Sequence, residues 1–68
     1  MMTNHEVALN AAALRFPVGR AVRYYPPRPH ADLATKVRSA PWMTGAGVVR
    51  VAIDAEPGGV PVSRLEVI

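Results

Sequence analysis

The stretch GAGVVRVAI, residues 45–53, is the part of the sequence that decides the fold. Four of the six residues from 48 to 53 are β-branched, glycines precede them, and the turn-forming segment DAEPGG follows at residues 54–59. Alternation with a period of two places Val49, Val51 and Ile53 on one face. The segment is therefore predicted to be a strand that buries this face against a core.

The segments around this strand are predicted to pair with it. Further strands are expected over residues 20–25, 36–40, 60–62 and 66–68, with a long proline-containing loop over 26–35 and one helical turn at 63–65. Five short strands in this order favour a mostly β fold, an SH3-like five-stranded small barrel over residues 16–68, with an OB-like barrel as the alternative. The predicted core consists of Val22, Val37, Val49, Val51, Ile53, Val60, Val62, Leu65 and Val67.

An N-terminal helical extension is predicted over residues 1–15. Thr3 and Glu6 have the spacing of a capping box, which indicates a helix over about residues 4–14. Val7, Ala11 and Leu14 fall on one stripe of that helix. A helix of this length is marginal alone, so it either packs against the domain or remains a partly helical tail.

Length and composition limit the classes of function. A chain of 68 residues is short for a stable core, so self-association as a homo-oligomer, most simply a dimer, is expected. Without cysteine, and with histidines only at positions 5 and 30, the sequence predicts no metal site and no cofactor. It also has no signal peptide pattern and no long apolar run, which favours a cytoplasmic protein without a membrane span.

Basic and aromatic residues are concentrated in the first half of the chain, within a net charge of +3. Six of the eight basic residues lie between positions 15 and 38, where Asp32 is the one acidic residue. Cationic side chains that neutralise phosphates, next to aromatic rings that stack on bases, are typical of nucleic-acid binding. The alternatives are a protein partner, or structural roles for the aromatic rings and a solvated basic face. The candidate binding residues are Tyr25, Arg28, His30, Lys36, Arg38 and Trp42.

Two resemblances support the barrel. FPVGRAVR at residues 16–23 and VSRLEVI at 62–68 resemble the opening and closing motifs of the plasmid-borne type II dihydrofolate reductases, which are tetrameric SH3-like barrels. VRYYP at residues 22–26 resembles the first strand of small barrels from phages and mobile elements. The reductase family's Val-Gln-Ile-Tyr active-site run is absent before the closing motif, so no catalytic or cofactor-binding residue carries over.

These patterns favour a non-enzymatic binding module that recognises nucleic acid or a partner protein through a basic-aromatic loop. One alternative is an NADPH-dependent enzyme like the type II dihydrofolate reductases, with a rebuilt pore. The other is an accessory subunit that has no site of its own. Because the basic-aromatic loop is present and the catalytic strand is absent, the binding module is the preferred hypothesis.

Overall fold

The computed structural model describes residues 2–68, which form one helix and two small antiparallel sheets. The helix α1 spans Asn4–Arg15. The strands are β1 Ala21–Tyr24, β2 Leu33–Lys36, β3 Trp42–Met43, β4 Val49–Ile53, β5 Glu56–Pro61 and β6 Leu65–Val67. The first sheet has the order β2-β1-β6 and the second the order β3-β4-β5, and a 3-10 turn at Val62–Arg64 precedes β6. The predicted mostly β fold with an N-terminal helix is confirmed.

The two sheets are joined where the chain leaves β2. Val37 forms an isolated bridge with Ile53, and the Arg38 amide donates to the Ala52 carbonyl over 2.8 Å. The strand predicted over 36–40 was misplaced, because pairing with β1 begins three residues earlier, where Leu33 lies opposite Tyr24. The loop predicted over 26–35 is shorter for the same reason. The last strand pairs with β1, as predicted.

The core lies between the sheets and is largely the predicted one. Val22, Val37, Val51, Ile53, Val60 and Leu65 are buried, whereas Val49, Val62 and Val67 are half-buried. Phe16 was missed, although its exposed fraction is only 3 %. It directly follows the helix, where its amide donates to the Ala12 carbonyl, and its ring enters the core cluster. Local pattern assigned this residue to a turn, but its large apolar ring favours burial.

Helix α1 begins as predicted but packs with a different face. The Thr3 hydroxyl accepts from the Glu6 amide over 3.1 Å, which caps the first turn. The predicted stripe is solvent-exposed: 53 % of Val7 and 85 % of Leu14 remain accessible. Buried Ala12 lies one turn before Phe16 instead, because Phe16 anchors the end of the helix and alanine allows close approach to the sheet.

The β4–β5 hairpin contains a bulge that shapes the outer surface. Val51 lies opposite Val60 and Ile53 opposite Glu56, so Ala52 alone faces residues 57–59 of the other strand. Gly59 in this bulge has a φ of +98°, which favours glycine. The central strand begins later than the predicted range of 45–53: residues 45–47 form a turn closed by the Gly47 amide donating to the Thr44 carbonyl, and β4 begins at Val49.

Within residues 2–68, no helix has the length and hydrophobicity needed to cross a membrane.

Candidate functional site

The structure separates the six predicted binding residues into groups. Arg28 and His30 lie together on the loop between β1 and β2. Trp42 lies on β3, in the other sheet, and Arg38 lies on the connection that leads to it. The single basic-aromatic site predicted from the sequence is therefore two surfaces, which differ in shape and charge.

The first surface is an open groove of about 560 Å³ between the β1–β2 loop and the β4–β5 turn. Arg28 and His30 belong to the loop side of the groove, and Glu56, at the start of β5, belongs to the turn side. The remaining lining is mainly apolar or aromatic and consists of Tyr24, Pro26, Pro27, Ala31, Leu33 and Ala55. The groove thus combines an apolar interior with charges of both signs. We call it the loop groove.

Tyr25 does not line the loop groove. Its hydroxyl donates to Glu66 Oε1 over 3.1 Å, and Arg64 Nη1 donates to the Tyr25 carbonyl over 3.3 Å. Loss of water around the hydroxyl raises the pKa of Tyr25, and the hydrogen bond to the Glu66 carboxylate raises it further. Its side chain therefore ties the loop to β6.

The positive charge of the first sheet is partly neutralised. Arg23 Nη1 lies 2.9 Å from Asp32 Oδ2, in an ion pair whose side chains are both accessible to solvent. Exposed pairs of this kind stabilise a protein by about 0–1 kcal/mol, but they cancel charge locally. Asp32, the one acidic residue between positions 15 and 38, therefore neutralises one of the six basic residues in that range, Arg23.

The second surface is the outer face of the second sheet. Trp42 lies directly opposite Arg50 on the neighbouring strand, and Arg38 lies opposite Ala52. Residues opposite each other in an antiparallel pair share a face, as do residues two apart on one strand. Arg38, Trp42 and Arg50 therefore share a face that is opposite to buried Val51. We call this set of three the outer patch.

Trp42 is held in place by the bulge in β5. A β-carbon built on Gly59 would lie 2.5 Å from Trp42 Cζ2 and would overlap the ring, so the indole lies directly against the glycine backbone. Arg50 Nη2 donates to the Gly59 carbonyl over 2.9 Å. Because 38 % of Trp42 remains exposed, the ring is positioned by the protein and still accessible to a ligand.

Within residues 2–68, no carboxylate forms an ion pair with the outer patch. The one ion pair within residues 2–68 is that of Arg23 and Asp32, which belongs to the first sheet. The other acidic residues lie elsewhere: Glu6 on the helix, Asp54 in the β4–β5 turn, Glu56 in the loop groove and Glu66 on β6. Lys36 belongs to β2 in the first sheet, where its carbonyl accepts from the Asp54 amide, so it is not part of the outer patch.

The described part of the chain contains no cluster of three or more potential metal ligands. Comparison with known proteins found no matching family model, no matching curated protein and no matching solved structure.

Sequence reasoning missed Arg50 and Gly59. The alternation of the central strand puts Arg50 on the face opposite to Val49, Val51 and Ile53, and that position was the available signal for a surface role. Gly59 was assigned to a tight connection, whereas it belongs to β5 and supports the indole of Trp42. The contact between Trp42 and Gly59 joins residues far apart in sequence, so no local pattern reveals it.

Proposed function

We propose that the protein is a non-enzymatic binding module that contacts single-stranded nucleic acid through the outer patch. The observation that carries this proposal is the Trp42 ring, which is held against Gly59 next to Arg50, on a face where no carboxylate of the described residues forms an ion pair. Unstacked bases bind to exposed aromatic rings, and each base stacked in this way contributes about 1–3 kcal/mol. In duplex DNA the bases already stack on each other, so a single strand is the better ligand.

The two arginines of the outer patch provide the electrostatic part of the interaction. Arg38 and Arg50 lie on the same side of the sheet as Trp42, with Arg50 directly opposite Trp42 and Arg38 opposite Ala52. Arginine binds phosphate through a planar, permanently charged group. A strand stacked on Trp42 would therefore keep its phosphates near guanidinium groups. The loop groove supports this binding less well, because Glu56 and Asp32 lie in or beside it.

Alanine substitution of Arg38 is expected to weaken binding of an oligothymidylate of about ten nucleotides by about three- to tenfold at low salt. Each lost phosphate contact should also reduce the slope of log affinity against log salt by about 0.7 for a single strand. The measurement is a fluorescence anisotropy titration at two salt concentrations. Arg28→Ala is the matched control, because it also removes one exposed arginine but from the loop groove, and it should change the affinity by less than about twofold.

Three results would contradict this proposal. An equal loss in Arg28→Ala would place the binding surface in the loop, and an absence of binding at low salt would make a partner protein the preferred ligand. Oxidation of NADPH in the presence of dihydrofolate would instead favour the reductase hypothesis.

We further propose that the two sheets belong to an SH3-like barrel. The bridge between Val37 and Ile53, the 3-10 turn before the last strand and the pairing of that strand with β1 all support this architecture. The short β3 is additional to the five predicted strands. Small barrels of this kind commonly serve as binding platforms on which surface residues decide the ligand.

Self-association is expected through the exposed stripe of α1. Val7 and Leu14 lie on the solvent side of the helix, where a second copy could cover them. Sedimentation at micromolar concentration should give a mass above the 7.3 kDa of one chain. Leu14→Glu should return the protein to one chain, while Ala13→Glu, at a neighbouring exposed position, should not. A monomer of 7.3 kDa in the unmodified protein would show that this prediction is wrong.

A further inference from the structure

The loop groove lies beside an edge of the first sheet. Strand β2 is at the edge, with β1 as its partner in the sheet. Leu33 of this strand lines the groove, and Tyr24, opposite it on β1, lines the groove as well. A ligand in the groove would therefore lie next to the main chain of β2.

The register shows which main-chain groups of β2 point outward. The Val37 amide donates to the Arg20 carbonyl over 2.9 Å, so odd-numbered residues of β2 direct their main-chain groups towards β1. Even-numbered residues of β2 direct their main-chain groups away from β1. Lys36 confirms this, because its carbonyl accepts from the Asp54 amide, which lies outside this sheet. Ala34 must likewise point its amide and carbonyl away from β1. These two groups form a short template for an added strand.

The charges around the groove indicate the chemistry of that strand. Arg28 and His30 lie on the loop side, and neither has an ion-pair partner within residues 2–68. Glu56 lies on the turn side and disfavours an acidic side chain there. An acidic residue of a bound segment would therefore be placed next to the loop, and apolar residues on either side of it would contact Leu33 and Tyr24.

We propose that the loop groove binds an extended peptide segment of a partner protein, which adds as a strand to the edge of β2 and directs an acidic side chain to Arg28 and His30. Main-chain hydrogen bonds to Ala34 supply the attachment, and the groove selects the side chains, as in other cases of strand addition. This proposal is independent of nucleic-acid binding, because it uses neither Trp42 nor the outer patch.

The test is a nuclear magnetic resonance titration of the ¹⁵N-labelled full chain with a capped six-residue peptide, valine-threonine-valine-glutamate-valine-threonine. The amide of Ala34 should shift and exchange more slowly with solvent, because it gains a hydrogen-bond acceptor. Resonances of Arg28 and His30 should shift with it. The same peptide with lysine in place of glutamate should bind more weakly.

Reversing the charge of Arg28 separates this binding mode from non-specific association. Arg28→Glu should lower the affinity for the glutamate peptide about tenfold and raise the affinity for the lysine peptide, because the new carboxylate repels glutamate and attracts lysine. Arg38→Glu is the matched control and should leave both affinities unchanged within about twofold, since Arg38 lies outside the groove. Equal affinities for the two peptides, or shifts that leave the Ala34 amide unaffected at millimolar peptide, would overturn the proposal.

Discussion

Substitution of Val51 by aspartate is expected to unfold the domain. Val51 is completely buried at the centre of β4, within a cluster that includes Phe16 and Val60. No polar or charged residue is buried in the described part of the chain, so an aspartate here would have no partner. An unpaired carboxyl group buried here costs several kcal/mol whether it is charged or protonated, which is comparable with the 5–15 kcal/mol that stabilises a typical domain, and a chain this short is at the low end of that range.

The measurement is a comparison of circular dichroism and thermal unfolding with a matched variant. Val48→Asp introduces the same side chain three residues earlier, where 38 % of the valine is exposed. The free energy of unfolding of this variant should be lower by less than about 1 kcal/mol, as is usual for surface substitutions. Cooperative unfolding of Val51→Asp at a temperature near that of Val48→Asp would contradict the proposed core.

Substitution of Gly59 by alanine is expected to destabilise the protein by about 2–5 kcal/mol. Two effects combine at this position. A side chain is strained at a φ of +98°, which costs about 1–2 kcal/mol, and its β-carbon would overlap the indole of Trp42, which adds about 1–3 kcal/mol. The indole must move off the strand, and the hydrogen bond from Arg50 to the Gly59 carbonyl is disturbed with it.

Urea unfolding of two neighbouring variants separates these effects from the ordinary cost of replacing glycine. Gly58→Ala places the same methyl group where nothing lies within 4 Å, so it should change the free energy of unfolding by less than about 1 kcal/mol. In the Gly59→Ala background, Trp42→Ala removes the overlap. It should therefore reduce the free energy of unfolding by less than the same substitution does in the unmodified protein. Equal effects of the two glycine variants would show that the indole does not rest on Gly59.

The parts of the fold that follow from local pattern were predicted well. The central strand has alternating β-branched residues between turn signals, and its buried face contains Val51 and Ile53 as expected. The helix start at Thr3 and the helical turn before the last strand are equally local features. The register of β2 was wrong because it depends on pairing with β1 across a loop, and residues 33–36 have little strand signal of their own.

The candidate site was predicted in composition but not in arrangement. Arg38 and Trp42 do share a face, whereas Arg28 and His30 lie on another surface, although the sequence prediction placed all four in one site. This division arises because the chain passes from one sheet to the other at Val37. Arg50 joins the outer patch through strand pairing, and Asp32 neutralises Arg23 through the fold of the loop. None of these contacts is encoded by spacing along the chain.

The emission of Trp42 is the most direct test of binding at the outer patch, because it is the only tryptophan in the chain. A base that stacks on the exposed side of the indole should quench this emission as oligothymidylate is added, and salt should reverse the quenching. Arg38→Ala should require about three to ten times more oligonucleotide for the same quenching, and Arg28→Ala should behave like the unmodified protein. Emission that stays constant while the oligonucleotide binds, as measured by anisotropy, would contradict stacking on Trp42 and place the nucleic acid elsewhere on the molecule.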